Sequence, residues 1–438
     1  MPTITSLEVI DLRFPTSLHA DGSDAMNKDA DYSAAYAVVH TDAPDAAGAP
    51  LVGHGLTFTI GRGNDIVCMA ARELGQRIVG HDVDALLDDM GRTYRSFGDD
   101  SQMRWLGPEK GVVHLALSAV MNALWDMAGR RVGKPVWRLL AEMTPEQLVD
   151  IADLRYLADV LPRERALEIL QGAELGKPER IAKLEASGYP AYTTAAGWLG
   201  YSDEKMLRLI AEQERLGFTA VKLKVGASLD DDIRRCRLAR EAIGPDRPLM
   251  IDANQMWDVP TAIEWVNALQ EFDLRWIEEP TSPDDILGHR EIRDAVAPIG
   301  VATGEHCHNR VMFKQFMAAG AMDFCQLDAG RLASLNEILA VLLLAAQFEV
   351  PVCPHAGGVG LCEMVQHASM LDYVAVSGSY AGRITEYVDN LHEHFVHPVR
   401  VAGGRYQVTG ERGYNTEMHA ESIAEFRFPD GRYWSGVR

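Results

Sequence analysis

Six short apolar runs in the second half of the chain each end in a charged or ionisable residue. The end residues are Lys224, Asp252, Glu278, Glu305, Asp328 and His355. The steps between them are 28, 26, 27, 23 and 27 residues long. A βα unit occupies roughly 30 residues, so this spacing predicts successive strand–helix repeats. A chain that places one such side chain at the end of each strand predicts a single site at the C-terminal mouth of a β/α barrel.

The chain has 438 residues, which is more than a barrel of roughly 250 residues needs. Residues 3–14, 34–41 and 52–60 read as strands of an antiparallel sheet, and helical periodicity follows in 64–80, 83–98 and 109–131. We therefore predict an α+β domain over residues 1–140 and a barrel over 141–390. Residues 391–438 lack the repeat, and we expect them to pack back on the first domain.

Two local predictions within the barrel depend on short patterns. Residues 373–377 form an apolar run that predicts the last strand of the barrel. Ser334 followed by Glu337 matches the pattern of a capping box at the start of a helix.

Composition excludes several classes of partner. The formal net charge of −21 repels phosphate backbones, which argues against nucleic acid. The six cysteines form no C-x-x-C pair, which suggests a reducing compartment. The N-terminus shows no signal peptide, and the longest apolar run is too short for a bilayer. We expect a cytoplasmic protein that contacts no membrane and acts on a small molecule.

Three of the strand-end residues are carboxylates, namely Asp252, Glu278 and Glu305. Three like charges at close quarters are unfavourable unless a cation neutralises them. Oxygen ligands suit Mg²⁺ or Mn²⁺. Glu279 should face away from Glu278 on the same strand and so should not join the set. The alternative is that each carboxylate pairs with a nearby arginine or lysine.

The remaining strand-end residues suggest acid/base chemistry. Lys222 and Lys224 share one face of a strand, and we expect each ammonium group to depress the pKa of the other. A lysine with a pKa near neutrality can act as a general base. Asp328 beside His355 would fix the tautomer of the imidazole. The alternatives are an exposed edge strand for the lysines and an ordinary core histidine for His355.

The order K-x-K, D-A-N, E-E-P, T-G-E, a strand-end Asp and P-H-A resembles the enolase superfamily, in the branch similar to mandelate racemase. The resemblance covers nearly the whole chain. The runs at 105–114, 279–289 and 353–362 resemble the L-fuconate dehydratases in particular. The resemblance to the superfamily implies an α/β fold, namely a modified (β/α)₈ TIM-type barrel with an N-terminal α+β capping domain. It also implies a homo-oligomer.

The resemblance assigns a role to each motif. Asp252, Glu278 and Glu305 would bind one Mg²⁺, which holds the substrate carboxylate and stabilises an enediolate. Lys224 would remove the C2 proton of the sugar acid. His355, oriented by Asp328, would protonate the departing 3-hydroxyl. The product would be a 2-keto-3-deoxy acid, here 2-dehydro-3-deoxy-L-fuconate and water from L-fuconate.

Substrate contacts are also implied by the resemblance. They fall on Lys222, on Glu386 beyond the predicted last strand, and on Gly22, Ser23, Asp24 and Tyr32 in the long N-terminal loop. The loop would choose the sugar. The resemblance gives His306 no role.

Three alternatives remain, and the first stays within the same class of enzyme. The first is a dehydratase for another aldonate or aldarate, or a racemase, because the catalytic set is shared. The second is a catalytically silent relative kept as a binding protein, against which the intact set argues. The third, an NAD enzyme, lacks a G-x-G-x-x-G after a predicted strand.

Overall fold

The computed structural model of the protein describes residues 1–107 and 109–436. The N-terminal part begins with β1 (Ile4–Arg13), β2 (Ser33–Pro44) and β3 (Pro50–Thr59), paired antiparallel in that order. The three predicted strands are confirmed. The helices that follow are α1 (Asn64–Gly75), α2 (Val83–Leu87), α3 (Met90–Gly98), α4 (Met103–Leu106), α5 (Gly111–Val132), α6 (Val136–Ala141) and α7 (Pro145–Ile151).

Helix α5 forms the core of this part of the protein. It lies so close to β3 that a Cβ at Gly55 would come within 2.2 Å of the Ala123 backbone nitrogen. Within the described part of the chain it is the one helix long and apolar enough to cross a membrane, but most of it is buried inside the protein. Its apolar character is therefore explained by its place in the core.

The second half of the chain alternates strands and helices. The elements are α8 (Arg163–Gly172), α9 (Lys177–Ser187), β4 (Tyr189–Thr193), α10 (Asp203–Arg215), β5 (Val221–Lys224), α11 (Leu229–Ile243), β6 (Leu249–Asp252), α12 (Val259–Ala268), β7 (Leu274–Glu278), α13 (Ile286–Val296), β8 (Gly300–Thr303), α14 (Arg310–Ala318), β9 (Phe324–Cys325), α15 (Leu335–Gln347), α16 (Leu361–Leu371) and β10 (Thr385–Tyr387). Strands β4 to β9 pair in parallel in chain order.

The sheet closes into a barrel. Val352 bridges to Cys325 of β9, and β10 pairs in parallel with β4. The strand registers place the predicted end residues at one level, because Lys224 lies opposite Asp252 and Asp252 opposite Glu278. The predicted fold, a β/α barrel with an N-terminal capping domain, is confirmed.

The predicted last strand at residues 373–377 is wrong. Asp372–Val376 continues α16 as a buried π-helical turn, and the last strand is β10. A short, fully buried apolar run reads the same as a strand or a helix. As a result, Glu386 lies on the last strand and not beyond it.

The predicted capping box at the start of α15 is also wrong. Ser334 makes no side-chain cap, and its φ is +83°. Glu337 is fully buried and instead accepts a hydrogen bond from Arg310 Nη1 at 2.9 Å and contacts His114 Nε2 at 2.5 Å. Tertiary ion pairs replace the local cap.

The C-terminal segment contributes β11 (Val401–Ala402), β12 (Arg405–Tyr406), α17 (Ala420–Phe426) and α18 (Arg432–Gly436). Strand β12 pairs antiparallel with β4 of the barrel. Farther on, Trp434 Nε1 donates to the Arg13 carbonyl of β1 at 3.1 Å. The segment thus contacts both parts of the protein, and the boundaries at 140 and 390 stay predictions.

Candidate active site

The three carboxylates Asp252, Glu278 and Glu305 meet at the mouth of the barrel. The first two end β6 and β7, and the third follows β8 by two residues. Each offers an oxygen atom, and these atoms lie within 4.8 Å of one another. Burial raises the pKa of Glu278 well above its usual range despite the nearby ammonium of Lys222. Burial acts in the same direction on Asp252, but Lys224 and Lys222 outweigh it and lower that pKa.

The chemistry of this set fits a divalent cation. All three ligands are oxygens, as Mg²⁺ prefers. Glu305 Oε2 is buried and has no hydrogen-bond partner among the described residues. Glu278 is held in place, since Gln326 Nε2 donates to its Oε2 at 2.6 Å. Three converging carboxylates with an unpartnered oxygen are a suitable Mg²⁺ site.

The two lysines occupy different places. Lys224 Nζ lies 2.5 Å from Asp252 Oδ2 and lines the cavity described below. Lys222 is fully buried, with Nζ 2.7 Å from Glu278 Oε1 and 2.9 Å from Glu386 Oε1, and does not line that cavity. The expected depression of the lysine pKa values is wrong in this structure. Burial favours it, but the carboxylates outweigh burial and raise both values.

Asp328 and His355 form a buried carboxylate–imidazole pair. The distance from Asp328 Oδ2 to His355 Nδ1 is 2.7 Å. Asp328 Oδ1 accepts hydrogen bonds from the backbone amides of Gly330 at 2.7 Å and Arg331 at 2.6 Å. These two amides fix the carboxylate, which in turn fixes the imidazole ring.

The other nitrogen of His355 faces the metal ligands. Nε2 lies 3.5 Å from Glu305 Oε2 and accepts a hydrogen bond from the Gly357 amide at 3.1 Å. Burial and this amide favour the neutral ring. The carboxylates of Glu305, Asp328 and Glu386 favour the charged ring and dominate, so the pKa of His355 rises to about 10.

Lys224, Glu305, Asp328 and His355 open onto one cavity of about 240 Å³ between the barrel mouth and the N-terminal part, which Asp252 and Glu278 do not line. The lining residues are Gly22, Asp24, Asn27, Ala30, Tyr32, Phe58, Thr59, Ile60, Arg62, Leu115, Trp198, Lys224, Asn254, Glu305, His306, Asp328, Arg331, His355, Gly357 and Glu386. The structure therefore brings most of the predicted site residues together. Ser23 and Lys222 are the predicted substrate contacts that do not line the cavity.

The N-terminal loop closes the cavity from above. Gly22 has φ +82°, and a Cβ there would lie 2.4 Å from Tyr32 Oη, so glycine permits the close contact. Asp24 is buried, and its Oδ1 accepts from the Met26 amide at 2.8 Å. Its pKa is raised by burial, which Lys224 partly offsets. The Ser23 carbonyl instead accepts from the amide of residue 199, which ties the loop to the barrel.

A second carboxylate–imidazole pair adjoins the carboxylate set. Glu279 is fully buried with φ +43°, and its Oε1 lies 2.7 Å from His306 Nδ1. Gln255 Nε2 donates to the other Glu279 oxygen at 2.9 Å. His306 Nδ1 is also 3.6 Å from Glu305 Oε1. Glu279 does not join Asp252 and Glu278, as predicted. Burial lowers the pKa of His306, but the carboxylate of Glu279 outweighs burial and raises it.

The sequence did not reveal several cavity residues. Asn254 belongs to the D-A-N motif, and its amide donates to Asp252 Oδ1 at 2.9 Å. The Trp198 ring lies 5.4 Å from Lys224 Nζ. Arg331 and His306 had no sequence signal for a position in the cavity, because neither ends a strand.

Comparison with protein families identifies both parts of the chain. Residues 33–141 match the mandelate racemase/muconate lactonizing enzyme N-terminal domain, and residues 205–422 match the enolase C-terminal domain-like family. The chain is 53% identical to human mitochondrial enolase superfamily member 1 over 98% of its own length and 97% of that protein. It is 52% identical to L-galactonate dehydratase of Hypocrea jecorina, over 98% and 94% of the two chains.

Solved structures show the same fold. The crystal structure of human mitochondrial enolase superfamily member 1 matches with a TM-score of 0.97 at 52% identity, covering 99% of this chain and 98% of that one. L-talarate/galactarate dehydratase from Salmonella typhimurium LT2, liganded with Mg and L-lyxarohydroxamate, matches with a TM-score of 0.73 at 24% identity. That match covers 96% and 92% of the two chains.

Proposed function

The chain is a sugar acid dehydratase-like member of the enolase superfamily, in its mandelate racemase/muconate lactonizing enzyme branch, and from that premise we propose that it dehydrates L-fuconate with Mg²⁺ as cofactor. The products are 2-dehydro-3-deoxy-L-fuconate and water. The observation that carries the proposal is one cavity lined by Lys224, the Asp328–His355 pair and Glu305, whose carboxylate converges with those of Asp252 and Glu278. A cytoplasmic location and a homo-oligomeric state stay predictions.

Asp252, Glu278 and Glu305 would hold the Mg²⁺ ion, one per site. When bound there, the ion neutralises the substrate carboxylate and stabilises the negative charge that develops on it after the C2 proton leaves. Lys222 lies behind this set, where its ammonium group pairs with Glu278 and Glu386. The pairing lowers the pKa of Glu386 despite burial, whereas at Glu278 burial outweighs it.

Lys224 takes the proton from C2. It is the basic residue on the β5 side of the cavity, and Asp252 Oδ2 holds its Nζ at 2.5 Å. The transfer requires the free amine. Burial and the like charge of Lys222 favour that form, whereas Asp252 opposes it and raises the pKa of Lys224 in this structure.

His355 gives a proton to the leaving 3-hydroxyl. It lies across the barrel mouth from Lys224, and the surrounding carboxylates outweigh burial and raise its pKa to about 10, which favours the protonated ring that a general acid needs. Asp328 stabilises this charged ring through the 2.7 Å contact with Nδ1. The two acid/base groups thus act on neighbouring carbons of the sugar acid.

L-galactonate is a second candidate substrate, favoured by the likeness to a fungal L-galactonate dehydratase. L-fuconate is 6-deoxy-L-galactonate, so the two acids differ at C6 alone. The wall of the cavity nearest the capping domain includes the apolar side chains of Ala30, Phe58, Ile60 and Leu115. An apolar wall suits the C6 methyl group of L-fuconate better than a hydroxymethyl group.

The decisive experiment is a comparison of kcat/KM for L-fuconate, L-galactonate and a panel of other aldonates and aldarates with Mg²⁺ present. We expect the highest value for L-fuconate. A higher value for L-galactonate would make it the substrate, and the absence of any turnover would leave a silent relative.

A pair of variants locates the C6 end of the substrate. Leu115→Asn places a polar group in the apolar wall, so the ratio of kcat/KM for L-fuconate over L-galactonate should fall. Val112→Asn makes the same kind of change on α5 but outside the cavity and should leave the ratio unchanged. Equal ratios in the two variants would contradict this placement of C6.

A further inference from the structure

Arg331 is a charged side chain of the cavity that the proposed reaction does not use. It lines the cavity and is partly buried. The protein carries 63 acidic residues against 42 lysines and arginines, yet Arg331 forms no ion pair with a carboxylate within the described part of the chain. Its Nε donates to the Glu305 carbonyl at 3.2 Å. The two Nη groups have no acceptor among the described residues.

Arg331 lies in the loop that follows β9 and meets the capping domain. It follows Gly330, whose carbonyl accepts a hydrogen bond from Thr57 Oγ1 of β3 at 2.7 Å. The side chain of Arg331 lines the cavity between the barrel mouth and the capping domain. It contacts the backbone of Glu305 and not its carboxylate.

His306 lies on the same side of the cavity. It follows Glu305 directly, and its Nδ1 is held 2.7 Å from Glu279 Oε1. The other ring nitrogen, Nε2, has no hydrogen-bond partner among the residues that the structure describes. His306 Nε2 and the two Nη groups of Arg331 thus both lie at the cavity, and neither has a hydrogen-bond partner among the described residues.

We propose that Arg331 and His306 form the subsite that binds the hydroxyl groups of the sugar acid beyond C3. The inference rests on the proposed function. There, the substrate carboxylate would bind at the Mg²⁺ ion that Asp252, Glu278 and Glu305 hold, and C2 and C3 would lie between Lys224 and His355. The rest of the sugar chain must then extend outward, toward the capping domain. Arginine presents several donors in a fixed fork, which suits a row of hydroxyl oxygens.

The test pairs a shortened side chain with a shortened substrate. Arg331→Met removes the donors and keeps the length of the side chain. Its matched control is Arg62→Met, because Arg62 also lines the cavity but is largely exposed and pairs with Asp29 at 3.6 Å. Each enzyme is assayed with L-fuconate and L-galactonate. It is also assayed with a four-carbon acid of the same configuration at C2 and C3, which is measured as a competitive inhibitor where turnover is slow.

We expect Arg331→Met to lower kcat/KM for the six-carbon acids by about 10- to 100-fold, as for the loss of hydrogen bonds to a charged group. The affinity for the four-carbon acid should fall by a smaller factor, because that acid offers the subsite one hydroxyl beyond C3 where L-fuconate offers two and L-galactonate three. His306→Asn should show the same preference for the shorter acid. Arg62→Met should leave both values near those of the wild type.

Two outcomes separate this inference from the proposed function. If the wild type turns over the six-carbon acids but Arg331→Met weakens the long and the short acid equally, the reaction stands and the subsite is refuted. If the wild type turns over no sugar acid, the proposed function fails and the subsite fails with it. The Mg²⁺ concentration for half-maximal activity is measured in every variant. A rise confined to Arg331→Met would show that Arg331 supports Glu305, which also refutes the subsite.

Discussion

Replacing Asp328 with asparagine tests whether His355 acts through the carboxylate that holds it. Asp328 Oδ1 accepts two backbone N–H groups, from Gly330 and Arg331. Those donors require an oxygen, so the new amide must turn its NH₂ group toward His355 Nδ1. The ring then loses its anionic partner and must present a lone pair at Nδ1, which moves the proton of the neutral ring to Nε2.

The expected magnitude follows from the contact that is lost. A buried hydrogen bond to a charged group is worth roughly 1.5–3 kcal/mol, and each 1.4 kcal/mol is about a factor of ten. Asp328→Asn should therefore lower kcat for dehydration by about 10- to 150-fold. It should also lower the pKa of His355, because Asp328 is one of the carboxylates that raise it. Removal of the C2 proton by Lys224 should continue, since Lys224 has no contact with Asp328.

The assay follows both steps in D₂O by NMR. One signal reports the 2-keto-3-deoxy product, and the other reports loss of the C2 proton from unreacted substrate. Asp232→Asn is the matched control, because Asp232 is a buried aspartate that accepts the Gly226 amide at 2.9 Å and lies outside the cavity. Equal loss of exchange and dehydration in Asp328→Asn would refute the division of labour between Lys224 and His355.

Further predictions concern the base, the metal and stability. Lys224→Ala should lower both dehydration and C2 proton exchange by about 10²- to 10⁴-fold with unchanged circular dichroism; persistent exchange would remove it from the mechanism. A chelator should abolish turnover and Mg²⁺ restore it, while Glu305→Gln should raise the Mg²⁺ concentration needed; insensitivity to chelator would contradict the metal site. Burial lowers the pKa of His367 to about 3, so the unfolded chain binds more protons and the free energy of unfolding should fall as pH drops from about 6.5 toward 3. At His392, burial is outweighed by Glu363 and the pKa rises to about 9, so its contribution should be lost as pH rises from about 6.5 to 9. Urea titrations of His367→Asn and His392→Gln check these slopes, and a variant with the slope of the wild type contradicts its assignment.

Local pattern in the sequence was enough to predict the barrel and the level of its strand ends. A parallel strand buried on both faces reads as an apolar run, and its last residue faces the mouth whatever the rest of the chain does. The register that aligns Lys224, Asp252 and Glu278 follows from this repeat. The resemblance placed Glu386 near the site, but the sequence did not predict that Glu386 lies on the last strand of the barrel.

Where a side chain's partners lie far away in the chain, only the tertiary structure decided the outcome. The run at 372–376 is helical, and the sequence did not predict this because an apolar run indicates burial but shows no helical or strand period. Glu337 leaves the predicted cap for Arg310 and His114, which come from other helices.

The same reason governs charge and the contents of the cavity. The pKa of Lys224 depends on Asp252 and Glu305, and the sign of its shift comes from distances that the sequence does not contain. Arg331 has no pattern around it, and it reaches the cavity because the loop after β9 meets β3 of the capping domain. The sequence by itself thus determined that Lys224, Asp252 and Glu278 end their strands, and it placed Glu305, Asp328 and His355 at the same mouth, where they follow the strands in the loops. Folding determined which of their neighbours enter the site, because electrostatic fields and desolvation act between residues brought together only in three dimensions.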